Sequence, residues 1–442
     1  MNHRALAAVT LLLCGWAGAA SAQSLNARRT AMGGVLLPGG GSGSAAVNVA
    51  YQAVPPPAGS RFDLPLPIGL LPLINDPPVF DAKDPEINVY DLANKLYNPP
   101  WNLQLVEPRA PSSDIVISLG RNYLALQLGD VANVFPEHGS KFGGVAHFPA
   151  VGLGVRSFFA NVTALTHVQN DLNLNEPLLA SLRKGEPFRT QTAYALTDDA
   201  LGQAAGALQL GWAGALSRAR QAKGAHDRSG FYAGARAKLL RGLAYGESRN
   251  NAGFTTGDTL FSSSPVEIDY QGFTRTAMPS DGGWGQGFDA GVVWIARGFE
   301  IGVGANDLGS RLRWKVEEST MQRDSVTGDV KSTVIAQGVD FTSKLPATYM
   351  VTAQRRFGGL LVAADAQRGL FDTTVHLGAE QWVGPIALRA GGSLDGEQQV
   401  QYAGGVGFKV WRIGADAGVA TNSRNLSHER GAELCVGLAL YH

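Results

Sequence analysis

Ser393 lies in Gly391-Gly392-Ser393-Leu394-Asp395, the nearest approach in this chain to the Gly-x-Ser-x-Gly turn that lifts a nucleophilic hydroxyl between a strand and a helix. The closing glycine of that motif is missing, and Ser-Leu-Asp-Gly reads as a β-turn in a hairpin. A zinc hydrolase of the His-Glu-x-x-His type needs a second imidazole one helical turn after the first. His428-Glu429-Arg430 has none. Past the first 22 residues the histidines are His138, His147, His167, His226, His376, His428 and His442, and no two have metal-ligand spacing. His376 and Glu380 are four residues apart and share a parity, so an acid–imidazole pair on one surface is one reading. A structural polar contact is the plainer one. The glycine run Gly39-Gly40-Gly41-Ser42-Gly43-Ser44 lacks the Lys-Ser/Thr ending of a phosphate-binding loop. The expectation is a non-enzyme with no catalytic residue, cofactor or metal.

Those residues must be held by something, and the composition limits what it is. The 442 residues carry 37 basic and 37 acidic side chains, so there is no electrostatic case for nucleic acid. Fifty-six glycines are nearly twice the usual share of about 7%. Arg4, the apolar run Ala5 to Gly18 and Ala20-Ser21-Ala22 predict a secretory signal over residues 1–22. Cleavage there removes Cys14 and leaves Cys435 alone, without an internal disulfide. No later stretch is long and apolar enough for a membrane helix. An exported chain of this kind either stays soluble or crosses a membrane as a closed barrel.

Residues 51–111 hold 13 of the 22 prolines, among them Pro55-Pro56-Pro57, Pro77-Pro78 and Pro99-Pro100. Proline cannot donate to a sheet ladder, so residues 23–111 are expected to form a Gly/Pro-rich plug or arm. From residue 112 to 442 period-two alternation takes over, the signature of strands with two unlike faces. Phe231, Ala233, Ala235, Ala237, Leu239, Leu243 and Tyr245 share one parity, opposite Gly234, Arg236, Lys238 and Gly242. Ala432, Leu434, Val436, Leu438 and Leu440 repeat the pattern. The slip of phase between Val410 and Trp411 predicts a reversal there. Leu201 to Leu216 is open: Ala200 to Ala205 suits a helix capped by Asp198 or Asp199 as well as a strand, and Leu208, Leu210 and Trp212 suit a strand. The count is 14 to 16 strands, many of 10 to 13 residues.

A soluble barrel hides its apolar parity, whereas a membrane barrel shows it to lipid. The other parity here is glycine-rich and sparsely charged, with Glu300, His376, Glu380, Arg389, Lys409, Arg412, Asp416 and Glu433 as candidates for lining a lumen. Trp294, Trp314, Trp382, Tyr402 and Trp411 fall toward strand ends, as interfacial aromatic girdles do. Lys315 to Lys331 and Asn250 to Ser264 read as extracellular loops.

Leu25-Asn26-Ala27-Arg28-Arg29-Thr30-Ala31-Met32-Gly33-Gly34-Val35 resembles the start of the long-chain fatty-acid transporter (FadL-like) group of outer-membrane barrels and of the related TraF-like conjugative-transfer proteins. Ala379 to Trp382, Leu388 to Gly392 and Tyr402 to Phe408 are similar to that group's final hairpins. The resemblance implies a barrel of about 14 strands in a Gram-negative outer membrane, with an N-terminal plug whose motif here is Ala31, Met32, Gly33 and Gly34. It implies passive uptake of small hydrophobic molecules. The implied partners are outer-membrane lipid, lipopolysaccharide and the barrel-assembly machinery. Two departures stand out: Asn98-Pro99-Pro100 is the nearest counterpart of a motif that usually follows the glycines closely, and the chain ends in Tyr441-His442 instead of Phe or Trp. The alternative reading is a structural or assembly component of the envelope or a conjugation apparatus, with the proline-rich segment as a docking arm.

Overall fold

The computed structural model of the chain describes residues 26–38, 44–57, 61–66, 102–104, 116–120, 123–128, 140–147, 151–218, 228–260, 268–323, 330–371, 373–396, 400–421 and 432–441. The signal segment, Gly39 to Gly43, Pro77-Pro78, Asn98-Pro99-Pro100, His138, His226, His428 with its neighbours and His442 lie outside these residues, as does the side chain of Glu433.

Helix α1 (Ala27–Ala31) is followed by β1 (Arg61–Leu66), β2 (Asn102–Gln104), β3 (Val116–Gly120), β4 (Tyr123–Gln127), β5 (Ser140–His147), β6 (Val151–Val155) and β7 (Phe158–Leu174). Helix α2 (Glu176–Lys184) leads to β8 (Ala193–Arg218), β9 (Gly230–Thr255), β10 (Ile268–Ala277), β11 (Gly282–Ala296), β12 (Phe299–Arg323) and β13 (Val330–Ser343). The remainder is β14 (Thr348–Phe357), β15 (Leu360–Arg368), β16 (Thr373–Val383), β17 (Ile386–Leu394), β18 (Val400–Val410), β19 (Ile413–Thr421) and β20 (Ala432–Tyr441). β2, β3 and β4 form a small separate sheet, and the other 17 strands form one large sheet, an antiparallel β-barrel.

Three places in the barrel wall hold two strands end to end. β5 and β6 share β7, β10 and β11 lie between β9 and β12, and β13 and β14 follow each other along β12. Counting each such pair once reduces 17 strands to 14 wall positions. The fourteenth is β1, paired with β20 from Arg61↔Tyr441 to Leu66↔Val436. Part of the segment expected to be a plug or an arm is therefore wall. In that ladder Pro65 stands opposite Gly437.

The two faces separate as the alternation requires. On β17, Ile386, Leu388 and Ala390 are exposed while Ala387 and Arg389 are buried. Among the described residues, the exposed parity of β16, β17 and β19 holds no ionisable side chain. Leu201 to Leu216 lies wholly within β8, because ladders on both sides, with β7 and β9, satisfy its backbone as strand. The reversal near Val410 falls at Trp411-Arg412, with Trp411 at φ 54°.

Strand length departs from the sequence reading. β14 to β20 have 9–11 residues, but β8 and β9 have 26 and β12 has 25. Lys315 to Arg323 and Asn250 to Thr255 are not loops: they continue β12 and β9, and ion pairs such as Arg275–Glu318 (2.7 Å) link the tall hairpins. Irregular register also moves residues across the wall. Ala204 faces Ala244 but Ala205 faces Gly242, so Leu243 is an extra residue in β9. Beyond that bulge Tyr245 turns inward and is buried while Leu243 stays exposed. Trp314, expected in a girdle, is fully buried, and its Nε1 donates to Ser343 Oγ at 2.8 Å.

Candidate functional site

The buried face of the wall carries glycine where the N-terminal segment meets it. Helix α1 is a single turn, capped by the Asn26 side chain accepting from the Arg29 amide at 3.2 Å. It ends in Gly33 and Gly34, at φ 71° and 83°, a conformation only glycine adopts without strain. A methyl group on Gly378 would come within 2.5 Å of the Met32 carbonyl oxygen, and one on Gly405 or Gly418 would reach Ala31 Cβ or the Ala27 carbonyl oxygen at 2.5 Å. On Gly391 it would overlap the Met32 carbonyl outright. The second piece of the segment, a 3-10 turn over Val49–Ala53, is seated the same way. Asn48 donates through Nδ2 to the Val303 and Val292 carbonyls at 3.0 and 3.2 Å, beside Gly291 and Gly304.

Charge holds what glycine admits. Arg28 binds Glu380 with two hydrogen bonds, Nε to Oε2 at 2.8 Å and Nη2 to Oε1 at 2.7 Å. Arg389 bridges Glu380 (2.8 Å) and Asp416 (2.6 Å), and Asp416 takes Arg61 from β1 at 2.7 Å. A chain of five charges thus ties α1 and β1 to three wall strands. Asp365 accepts the Leu36 amide at 2.6 Å and bonds His376 Nδ1 at 2.8 Å.

A second buried network lies across the barrel. Lys238, wholly enclosed, reaches Asp289 and Asp307, each at 2.8 Å. Arg236 pairs with Asp289, and His147 Nε2 stands 3.0 Å from Asp307. Two lysine or arginine charges face two carboxylates, the balance buried ions require. Near it Tyr51 meets Thr352 Oγ1 at 3.4 Å. Burial and the neighbouring Glu300 carboxylate push its phenol well above the usual value, so it remains neutral.

In the tall half of the wall the buried face changes character. Leu165, Leu240, Leu312, Trp314, Val316 and Leu345 form an apolar cluster, with Tyr245 and Phe341 packed against it. This is a greasy region on the face opposite the apolar exterior.

Of the residues singled out from sequence, Glu380, Arg389 and Asp416 come together in one network. Glu300 is buried against Arg228 at 3.0 Å. Lys409 lies 4.0 Å from the Tyr441 ring centroid. Ala31, Met32, Gly33 and Gly34 form the seat just described. Two expectations need correction. His376 pairs with Asp365, its cross-strand partner on β15, not with Glu380, which stands four residues, about 13 Å, along the same strand. Arg412 does not point into the barrel: it falls in the exposed two-residue turn, where strand parity ends. Glu433 is placed only as the backbone partner of Ala420. Arg28, Arg61, Asp289, Asp307 and Asp365 were missed. Arg28 was visible inside the quoted N-terminal motif, and Arg236 and Lys238 already stood on the polar parity.

A family model described as a family of unknown function (DUF5723) matches residues 138–380. No curated protein matches the chain. Among solved structures, the toluene transporter TbuX of Ralstonia pickettii is 14% identical over 71% of this chain and 90% of its own, with a TM-score of 0.30. A FadL homologue of Pseudomonas aeruginosa is 11% identical over 68% and 87%, with a TM-score of 0.33. The toluene transporter TodX of Pseudomonas putida is 11% identical over 71% and 91%, with a TM-score of 0.26.

Two outcomes follow from this packing. Gly391→Val is expected to cost about 2 kcal/mol by overpacking, whereas Ala390→Val, one residue along on the outer face, stays within about 0.5 kcal/mol. Glu380→Gln, which removes the carboxylate charge shared by Arg28 and Arg389, is expected to cost about 3 kcal/mol, against less than about 0.5 kcal/mol for Glu186→Gln in its exposed pair with Arg189. The temperature at which the compact, fast-migrating band is lost on electrophoresis ranks all four.

Proposed function

The chain belongs to the DUF5723 family, a family of unknown function, and we propose that it is an outer-membrane barrel that lets small hydrophobic molecules pass inward without energy input. The observation that carries this reading is the inversion of the two faces. Large apolar side chains such as Leu388, Val406 and Ile413 stand exposed outside, while ion networks and a close-fitting N-terminal segment occupy the inside. Exposed Trp284 and Trp294 on β11 are ten residues apart. That is about 33 Å along a strand, or roughly 24 Å of height at a tilt near 45°, matching the usual apolar band of about 25 Å.

Residues 26–38 and 44–57 act as the plug. They are held by hydrogen bonds and ion pairs that can exchange, not by covalent links. The apolar cluster around Leu312 and Trp314, in the tall half of the wall, is where this reading places the path, and its chemistry suits an uncharged, hydrophobic permeant. The AMGG start at Ala31 to Gly34 resembles that of transporters for such compounds. Outer-membrane lipid is the surrounding partner. The docking-arm reading is weaker, because Arg228 Nε donates to the Pro55 carbonyl at 2.8 Å, which keeps the end of this segment against the barrel.

Vesicles with a lipopolysaccharide outer leaflet test the proposal. With the protein inserted, an uncharged aromatic fluorophore is expected to enter faster, with no matching gain for sucrose. Leu312→Asp, which sets an unpaired carboxylate in the path, is expected to slow the fluorophore by about tenfold. Equal gains for sucrose would mean an open water pore, and no gain for either probe would remove the transport reading.

A further inference from the structure

The barrel ends differ. One end carries the two-residue hairpin turns Arg156-Ser157, Arg297-Gly298, Gly358-Gly359, Gly384-Pro385 and Trp411-Arg412. The only ionisable side chains in these five turns are arginines. Arg156 and Arg297 sit at φ 58° and 48°, where glycine or asparagine would be at ease. The backbone accepts this strain at places that put a cation at the rim.

Two of this rim's arginines lie at neighbouring positions, Arg297 in the turn and Arg355 on the strand beside it, whereas Arg356 falls on the opposite parity, in register with the buried Leu361. Arg355 pairs in register with Phe299, the residue after the Arg297-Gly298 turn, and the Arg356 amide donates to the Gly298 carbonyl at 3.3 Å. Arg297 and Arg356 are exposed. The Arg355 guanidinium lies between the Phe299 and Phe357 rings, 4.1 and 4.3 Å from their centroids. Both rings hold the guanidinium by cation–π contact, which leaves its N–H groups able to bind an anion. Glu300, the carboxylate nearest in sequence to this turn, faces inward and is taken by Arg228.

Above this cluster, on the same strands, the outer wall has an apolar depression of about 600 Å³. Its lining includes Ala233, Ala290, Val303, Ala305 and Val351. Small side chains on β9, β11 and β12 make the hollow. Val303 and Val351 are four residues from Phe299 and Arg355, about 13 Å along the strands.

We propose that this combination is a binding site for an anionic phospholipid. Its phosphate lies against Arg297 and Arg355, and an acyl chain lies in the depression. Guanidinium matches phosphate oxygens in pairs, and the apolar hollow excludes a water-soluble phosphate as the preferred occupant. The site rests on the membrane-barrel reading of the preceding section.

Native mass spectrometry of the purified full chain in detergent, with dioleoyl phosphatidylglycerol or dioleoyl phosphatidylcholine added, tests it. The glycerol lipid is expected to be retained in preference to the choline lipid. Arg355→Gln is expected to lower that retention about fivefold, the share of one cation near a headgroup. Ala305→Trp, which fills the hollow, should lower it while leaving the heat-modifiable fold intact. Arg156→Gln, at a distant turn of the same rim, should leave it unchanged. Equal retention of the two lipids, or an equal loss with Arg156→Gln, overturns the site while leaving the barrel reading in place. A chain that is monodisperse without detergent overturns both.

Discussion

The rest of the structure depends on a steric constraint: the inner wall lacks side chains where the N-terminal segment lies. A barrel of this strand number has room for inner side chains or for a folded segment against the wall, but not for both at the same height. Gly378, Gly391, Gly405 and Gly418 leave α1 within contact of wall backbone. Gly291 and Gly304 do the same for Asn48. Interiors are close-packed, so a single methyl group on this face displaces the segment instead of being absorbed. Part of the excess of glycine in the composition has its physical cause here.

Electrostatics complete what the glycines allow. An ion pair enclosed in protein persists only when its partners are matched and its hydrogen bonds are met. The chain Arg28–Glu380–Arg389–Asp416–Arg61 alternates in sign from end to end and links the segment to β16, β17, β19 and β1 at once. The Lys238 network holds β9, β11 and β12 together and reaches His147 of β5. Because the exterior is apolar, nearly all the polar specificity of the molecule sits inside, the reverse of a soluble barrel.

Sequence alternation alone revealed the fold class. Period two survives in every short strand from β14 to β20, so Ile386, Leu388 and Ala390 declare their face without a structure. The tall hairpins were less legible, because charged residues such as Lys315 and Glu318 look like loop residues when they are strand residues standing above an apolar band. Bulges hid more: the extra Leu243 reverses the parity that follows it, which sends Tyr245 inward against any simple count. Glu380, Arg389 and Asp416 could be placed on one face from parity. Their partners could not, since Arg28 and Glu380 are brought together only by the seating of α1. Pairing of β1 with β20 had no local signal either. It joins residues at least 370 positions apart, through a segment whose proline looked unsuited to a strand.

The inverted wall is most directly tested by spin labels placed singly at Ile386, Ala387, Leu388 and Ala390 in the protein reconstituted in lipid bilayers. Labels at 386, 388 and 390 should relax with oxygen dissolved in the bilayer, and a label at 387 should be shielded from it. The opposite phase, or no alternation at all, would contradict a barrel that shows its apolar parity to lipid.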